Sequence, residues 1–246
     1  MKILVPIDGS SYSENSLSFV ASRTSLLGQT PEIELLVVLD PLPARAARLV
    51  GKDSLTRYYE EEAEKIFEPA RKFLADKHIT VTEAFMVGDP SEKIAEEAVR
   101  LDADLVIMGS RGRTALAGLF LGSVTNGVLA RTKNPILIVR NKAVPETDAM
   151  RVGIAVDGSP QSKAVVRYIL SNLDFFGKDS KFYLIHVTSD ISLTLLAGVS
   201  TGAPQPLKGT DLEAIKEETY REATEDIVPM LDKAGIEYEK VCVEGT

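Results

Sequence analysis

The chain has 246 residues, of which 44% are hydrophobic and 26% charged, an ordinary globular balance with length enough for two domains. It carries 28 basic against 36 acidic residues, a formal net charge of −8. That argues against a general nucleic-acid binder, which needs a basic stripe to displace phosphate counterions. A single cysteine, Cys242, excludes an intramolecular disulfide and any multi-cysteine metal site. Two histidines, His78 and His186, leave little for zinc or a Ser-His-Asp triad.

The first apolar run, Ile3–Ile7, stops at Asp8. It is too short for a signal-peptide core, and no stretch approaches the ~20 apolar residues of a membrane span. The expectation is a cytoplasmic protein. Further along, Glu32–Leu39, Thr80–Val87, Leu105–Met108 and Ile136–Val139 read as strands rich in Val and Ile.

Helical patterns separate them. Ser10 or Ser11 caps a predicted helix running to about Leu27, with Gly28 ending it. Tyr58–Lys77 has helical apolar spacing with Pro69 inside it, where a bend is expected. Asp89-Pro90-Ser91-Glu92 opens a third helix, and Val124–Ala130 starts a fourth. Continuous apolar strands alternating with helices predict an α/β fold, a doubly wound five-stranded parallel sheet. Ligands of such sheets sit at the carboxyl ends of the strands, where the order reverses.

The opening then repeats. Met1-Lys2-Ile3-Leu4-Val5-Pro6-Ile7-Asp8-Gly9-Ser10 returns 149 positions later as Met150-Arg151-Val152-Gly153-Ile154-Ala155-Val156-Asp157-Gly158-Ser159. Thr82–Gly88 resembles Glu239–Gly245 at an offset of 157, so the second copy holds about eight extra residues, expected between Gly198 and Gly209. The polar stretch 141–149 reads as a linker. The organisation expected is a complete domain over 1–140 and a partial second copy over 150–246 that lacks its last two strands. Within that copy Cys242 alternates with Val241 and Val243 and is expected to pack inward.

The most informative stretch is Met108-Gly109-Ser110-Arg111-Gly112-Arg113, followed by Gly122-Ser123-Val124-Thr125. It follows a strand and leads into a helix, with glycines spaced Gly-x2-Gly-x9-Gly-Ser. Glycines let backbone N–H groups approach a ligand closely, and the helix start adds unpaired amides and positive dipole. Ser123 and Thr125 add hydroxyls, while Arg111 and Arg113 add local positive charge. The pattern is neither a Walker A loop nor a Gly-x-Gly-x-x-Gly dinucleotide turn.

With Val5-Pro6-Ile7-Asp8-Gly9-Ser10, Val87-Gly88-Asp89-Pro90 and Asn134-Pro135-Ile136-Leu137-Ile138-Val139, this loop resembles the universal stress protein (UspA) family in its ATP-binding branch. The whole chain looks like a tandem member with a shortened second copy. The resemblance implies an adenine nucleotide α-hydrolase-like fold. It implies an adenine pocket at Pro6, Ile7, Asp8, Val38 and Met108, and ribose contact near Gly109 and Ser110. Phosphates then fall to Gly112, Gly122, Ser123, Val124 and Thr125, flanked by Arg111 and Arg113, with Mg²⁺ accompanying ATP. Asp8 has a second reading, as a cap for the helix that follows it. The family's fifth strand also implies a homodimer through Ile136–Val139.

The second copy keeps Asp157-Gly158-Ser159 but no glycine loop, so no ATP binding by itself is expected. The functional expectation is a nucleotide-dependent stress-response regulator working through dimerisation or a signalling partner that the sequence does not name. No catalytic base stands in the loop, so an enzyme is not expected beyond slow ATP hydrolysis. A nucleotide-independent interaction module is the remaining alternative.

Overall fold

In the computed structural model the described residues are 1–23, 31–110, 121–140, 147–189 and 209–245. They form two compact units, Met1–Glu146 and Thr147–Thr246.

The first unit runs β1 (Lys2–Ile7), α1 (Ser11–Arg23), β2 (Glu32–Leu39), α2 (Ala44–Val50), α3 (Lys52–Ala75), β3 (Thr82–Val87), α4 (Pro90–Leu101), β4 (Leu105–Gly109), α5 (Ser123–Leu129) and β5 (Ile136–Val139). Its strands make one parallel sheet ordered β3-β2-β1-β4-β5. Alternation along each strand divides the core in two. Leu4, Leu36, Val106 and Met108 pack with Ile94 and Ala98 of α4 and Val128 of α5. Ile3, Val5, Ile7 and Leu35, of opposite parity, are equally buried on the side of α1 and α3.

Helix starts follow local chemistry. Asp89 accepts the Glu92 N–H at 2.9 Å, and Pro90 fills the first turn, where a missing N–H costs nothing. At the other end Asp102 adopts φ 53°, and the Ala103 N–H returns to the Ala98 carbonyl. Pro69 lies inside α3, as expected, but the helix begins at Lys52 rather than near Tyr58, and α2 was not anticipated. Residues 52–57 hold a single large apolar side chain, Leu55, so periodicity alone misses that first stretch. The expected end of α1 near Leu27 falls outside the described residues.

The second unit runs β6 (Arg151–Ala155), α6 (Pro160–Ser171), a 3₁₀ turn (Leu173–Phe176), β7 (Lys181–Ser189), α7 (Gly209–Thr224), α8 (Val228–Lys233) and β8 (Tyr238–Gly245). Its parallel sheet has the order β6-β7-β8. Ile154, Phe182 and Leu184 pack against Val166 of α6, Tyr220 of α7 and Leu231 of α8. On the opposite parity Val187 and Val243 remain 54% and 45% exposed.

Cys242 departs from its expected inward packing: the thiol is exposed. It lies near the end of β8, an edge strand of the sheet, where strand alternation alone does not ensure cover. His186 places Nδ1 2.9 Å from the Val156 carbonyl oxygen and stacks edge-on against Tyr220. The eight extra residues expected between Gly198 and Gly209 fall almost wholly outside the described residues.

Candidate functional site

The sheet order reverses between β1 and β4, because the connection after β1 leads to β2 while that after β4 leads to β5. Pairing of these two strands covers Ile3–Leu105 and Leu4–Val106, after which β1 continues to Ile7 and β4 to Gly109. A crevice at the carboxyl ends of such strands is the usual ligand position.

Asp8 follows β1 directly, and its carboxylate is held from two sides. The Ser10 N–H donates to Oδ1 at 3.0 Å and the Ser13 hydroxyl donates to the same oxygen at 2.5 Å. The Asp8 N–H in turn donates to Ser13 Oγ at 2.9 Å. Gly9 turns the chain with φ 76°, a region that disfavours side chains with a Cβ. Asp8 thus holds the turn that precedes α1, while the cap itself is Ser10, whose hydroxyl oxygen accepts the Ser13 N–H at 3.4 Å.

The second unit builds the same turn. The Ser159 N–H and Ser162 hydroxyl donate to Asp157 Oδ1 at 2.9 and 2.7 Å, and Gly158 has φ 80°. Hydrogen bonds from Ser159 and Ser162 hold the Asp157 carboxyl down at about 2. Sequence reasoning missed both buried serines. The signal was present as Asp-Gly-Ser-x-x-Ser in each copy, three residues past the point where the repeat was traced.

On the β4 side, the Gly109–Ser110 turn is tied into its surroundings. The Ser110 N–H donates to the Val139 carbonyl at 3.0 Å, and the Ser110 carbonyl accepts from the Gly122 N–H at 2.8 Å. The two ends of the glycine loop are thereby joined. Arg111, Gly112 and Arg113 lie outside the described residues.

The Thr125 side chain is only 1% exposed and its hydroxyl donates to the Gly109 carbonyl at 3.1 Å. That bond fixes the first turn of α5 to the end of β4 and commits the hydroxyl proton within the protein. Ser123, by contrast, is exposed at the start of α5. The Asn126 N–H closes onto the Gly122 carbonyl at 3.0 Å, so the amides of Ser123, Val124 and Thr125 precede the first helical bond.

Val38, Met108 and Val124 meet in one apolar cluster that joins β2, β4 and α5. Pro6 pairs in register with Leu36 and has that strand face's parity. Ile7 does not join them. Its side chain points to the other face, beside Leu17 and Ile66, which leaves only its backbone on the strand-end side. Gly109 is required by packing: a Cβ there would lie 2.8 Å from Tyr12 Cβ and 2.9 Å from the Tyr12 carbonyl oxygen. Among the described residues no group of three or more His, Cys, Asp or Glu side chains is placed to hold a metal ion.

An ionic group with two buried carboxyls and an exposed arginine also escaped the sequence reading. Glu34 of β2 and Glu97 of α4 share Arg100, which donates to both carboxylates. Burial and the neighbouring Glu97 push the Glu34 carboxyl up to about 7, whereas the Arg100 hydrogen bond lowers that of Glu97. Glu34 lies near the amino end of β2, away from the strand-end crevice.

A parallel sheet of order 3-2-1-4-5, with a glycine turn where that order reverses, defines a doubly wound α/β protein. The universal stress protein family model matches residues 1–140, and the chain belongs to that family. A universal stress protein of Methanocaldococcus jannaschii is 33% identical over 156 residues, covering 57% of this chain and 95% of that one. One from Mycobacterium bovis is 24% identical over 210 residues, covering 82% of this chain and 69% of that protein. A solved universal stress protein of Archaeoglobus fulgidus covers all of this chain and 79% of its own at a TM-score of 0.67 and 23% identity, a likeness of fold. No helix among the described residues is long and apolar enough to cross a membrane.

Proposed function

We propose that the first unit binds ATP at the carboxyl ends of β1 and β4 and that the protein acts as a nucleotide-dependent regulator. The observation that supports this reading is the bonding of the start of α5 to the end of β4 beside the Val38–Met108–Val124 cluster, with Asp8 directly after β1 on the other strand of the switch point. Adenine lies against Pro6, Val38 and Met108, with the Ile7 backbone and Asp8 at its edge. Ribose lies near Gly109 and Ser110. The phosphates lie against the amides of Gly112, Ser123, Val124 and Thr125, with Gly122 shaping the turn and Arg111 and Arg113 supplying charge.

Thr125 contributes through its amide, since its hydroxyl is bonded to Gly109. Mg²⁺ adds charge neutralisation to the triphosphate when bound. The described residues offer it no carboxylate cage, which suits an ion held chiefly by phosphate oxygens and water. The glycine loop of the first unit is the phosphate site of this reading, so one nucleotide is expected at that unit. Two chains join through the Ile136–Val139 edge of β5, the last strand of the sheet.

The test is release of bound ligand from denatured protein, identified by chromatography with mass detection. Other universal stress proteins have been solved with cAMP and with dAMP, so the ligand is identified rather than presupposed. About one ATP or ADP per chain is expected, with a two-chain mass by sedimentation. Gly122→Asp, which places a carboxylate at the start of α5, is expected to weaken ATP at least ~10-fold. No bound nucleotide, and none taken up from Mg-ATP, rejects the reading in favour of a nucleotide-independent interaction module.

A further inference from the structure

The opposite face of the first unit holds a cleft that the nucleotide reading does not use. Between α1 and α3 lies a hollow of about 280 Å³. It exists because short residues sit where longer ones would close it: Gly9, Ser13 and Ser18 on one wall and Ala70 on the other. Its apolar surface comes from Leu17, Ile66 and Phe73.

Among the described residues the polar lining comes from α1. Glu14 is the one ionisable side chain among the described lining residues, and Ser18 follows it by one helical turn, so carboxylate and hydroxyl share an edge of the cleft. The volume is at the small end of ligand sites and too little for a helix about 10 Å across. One or two fused rings fit it. The single carboxylate selects a cation, as does the formal charge of −8 on the chain.

We propose that this cleft binds a small amphipathic amine, its ring body between Leu17, Ile66, Ala70 and Phe73 and its ammonium against Glu14 and Ser18. The site is separate from the strand-end crevice: Ile7 faces the cleft while Pro6, Val38 and Met108 have the parity of the other face. Its existence does not depend on nucleotide binding.

Tryptamine is the probe. The protein has no tryptophan, so indole fluorescence reports the ligand alone. Titration of the full chain is expected to saturate at one per chain, unchanged by ATP. Ser18→Phe and Ala70→Leu fill the cleft from opposite helices, and whichever variant keeps its circular dichroism spectrum is expected to lose at least ~10-fold in affinity. Glu14→Gln is expected to weaken tryptamine about three- to fivefold, the worth of an exposed ion pair, and to leave neutral 3-methylindole unaffected. Absence of saturation overturns the proposal. So does binding that ATP displaces and that the filling variants leave intact, since the probe would then occupy the strand-end crevice.

Discussion

At the scale of single residues, the two Asp-Gly-Ser-x-x-Ser turns show how a strand end is made rigid before any ligand arrives. Ser13 receives the Asp8 N–H and donates to the Asp8 carboxylate, and Ser162 does the same for Asp157. Removing the second hydroxyl gives a direct reading of this effect. In Ser162→Ala the Asp157 carboxyl is expected to rise from about 2 toward 3.8, measured by carboxyl chemical shift against pH. A depressed carboxyl stabilises the fold above its unfolded value and loses that contribution as pH falls through about 2. The variant should therefore shed less stability on acidification, and an unmoved titration would show that the serine is not the cause.

Gly109 makes a second residue-scale case, because here a glycine in the ligand loop is also a packing necessity. Gly109→Ala drives a methyl to within 2.8 Å of the Tyr12 side chain and 2.9 Å of its backbone oxygen, where backbone cannot easily yield. A loss of about 1–3 kcal/mol in chemical denaturation is expected. Full stability in this variant would mean that α1 can move away from β4 without cost.

At the scale of elements, α4 and β2 are joined through charge as well as apolar surface. Glu34 keeps its proton up to about pH 7 in the fold but gives it up near 4.5 when unfolded. Between those values the folded state holds the extra proton, so this group's contribution falls as pH rises and is fully unfavourable above 7. Glu34→Gln can still donate to Glu97 and carries no charge to bury. Its stability relative to the native protein is expected to increase by on the order of 2 kcal/mol between pH 5 and pH 8, read as the difference in denaturation midpoints. A constant difference across that range would show that Glu34 is ionised throughout.

The same two elements mark what was legible in the sequence. β2 and α4 were readable because Val and Ile runs, a capping Asp89 and Pro90 are local signals. Their charge cluster was not, since Glu34 and Glu97 are 63 positions apart in the chain and meet only after folding. At the site, Gly109 and Gly122 could be named from spacing, whereas Asp8 came with the family resemblance. The burial of the Thr125 hydroxyl against Gly109 could not, because its direction depends on how α5 packs on β4. The exposure of Cys242 has the same origin: alternation assigns a side to a residue, whereas cover depends on which elements lie over that side.

At the scale of the whole molecule, one folding pattern is used twice with different completeness among the described residues. The first unit sets four of its helices on both faces of a five-stranded sheet, while the helices of the second gather on one face of three strands. Asp8 and Asp157 sit in matching turns.

The difference in completeness reaches the amide protons of β6. In the first unit the corresponding strand, β1, has a neighbour on each side; β6 pairs with β7 alone among the described residues. The Val156 N–H donates to the Ile185 carbonyl. Amides alternate in direction along a strand, so those of Val152 and Ile154 point the same way and those of Gly153 and Ala155 point outward. Exchange of backbone hydrogen for deuterium should consequently stutter along β6, slow at Val152, Ile154 and Val156 and fast at Gly153 and Ala155. Uniformly slow exchange along the strand would reveal a second neighbour on its outer side.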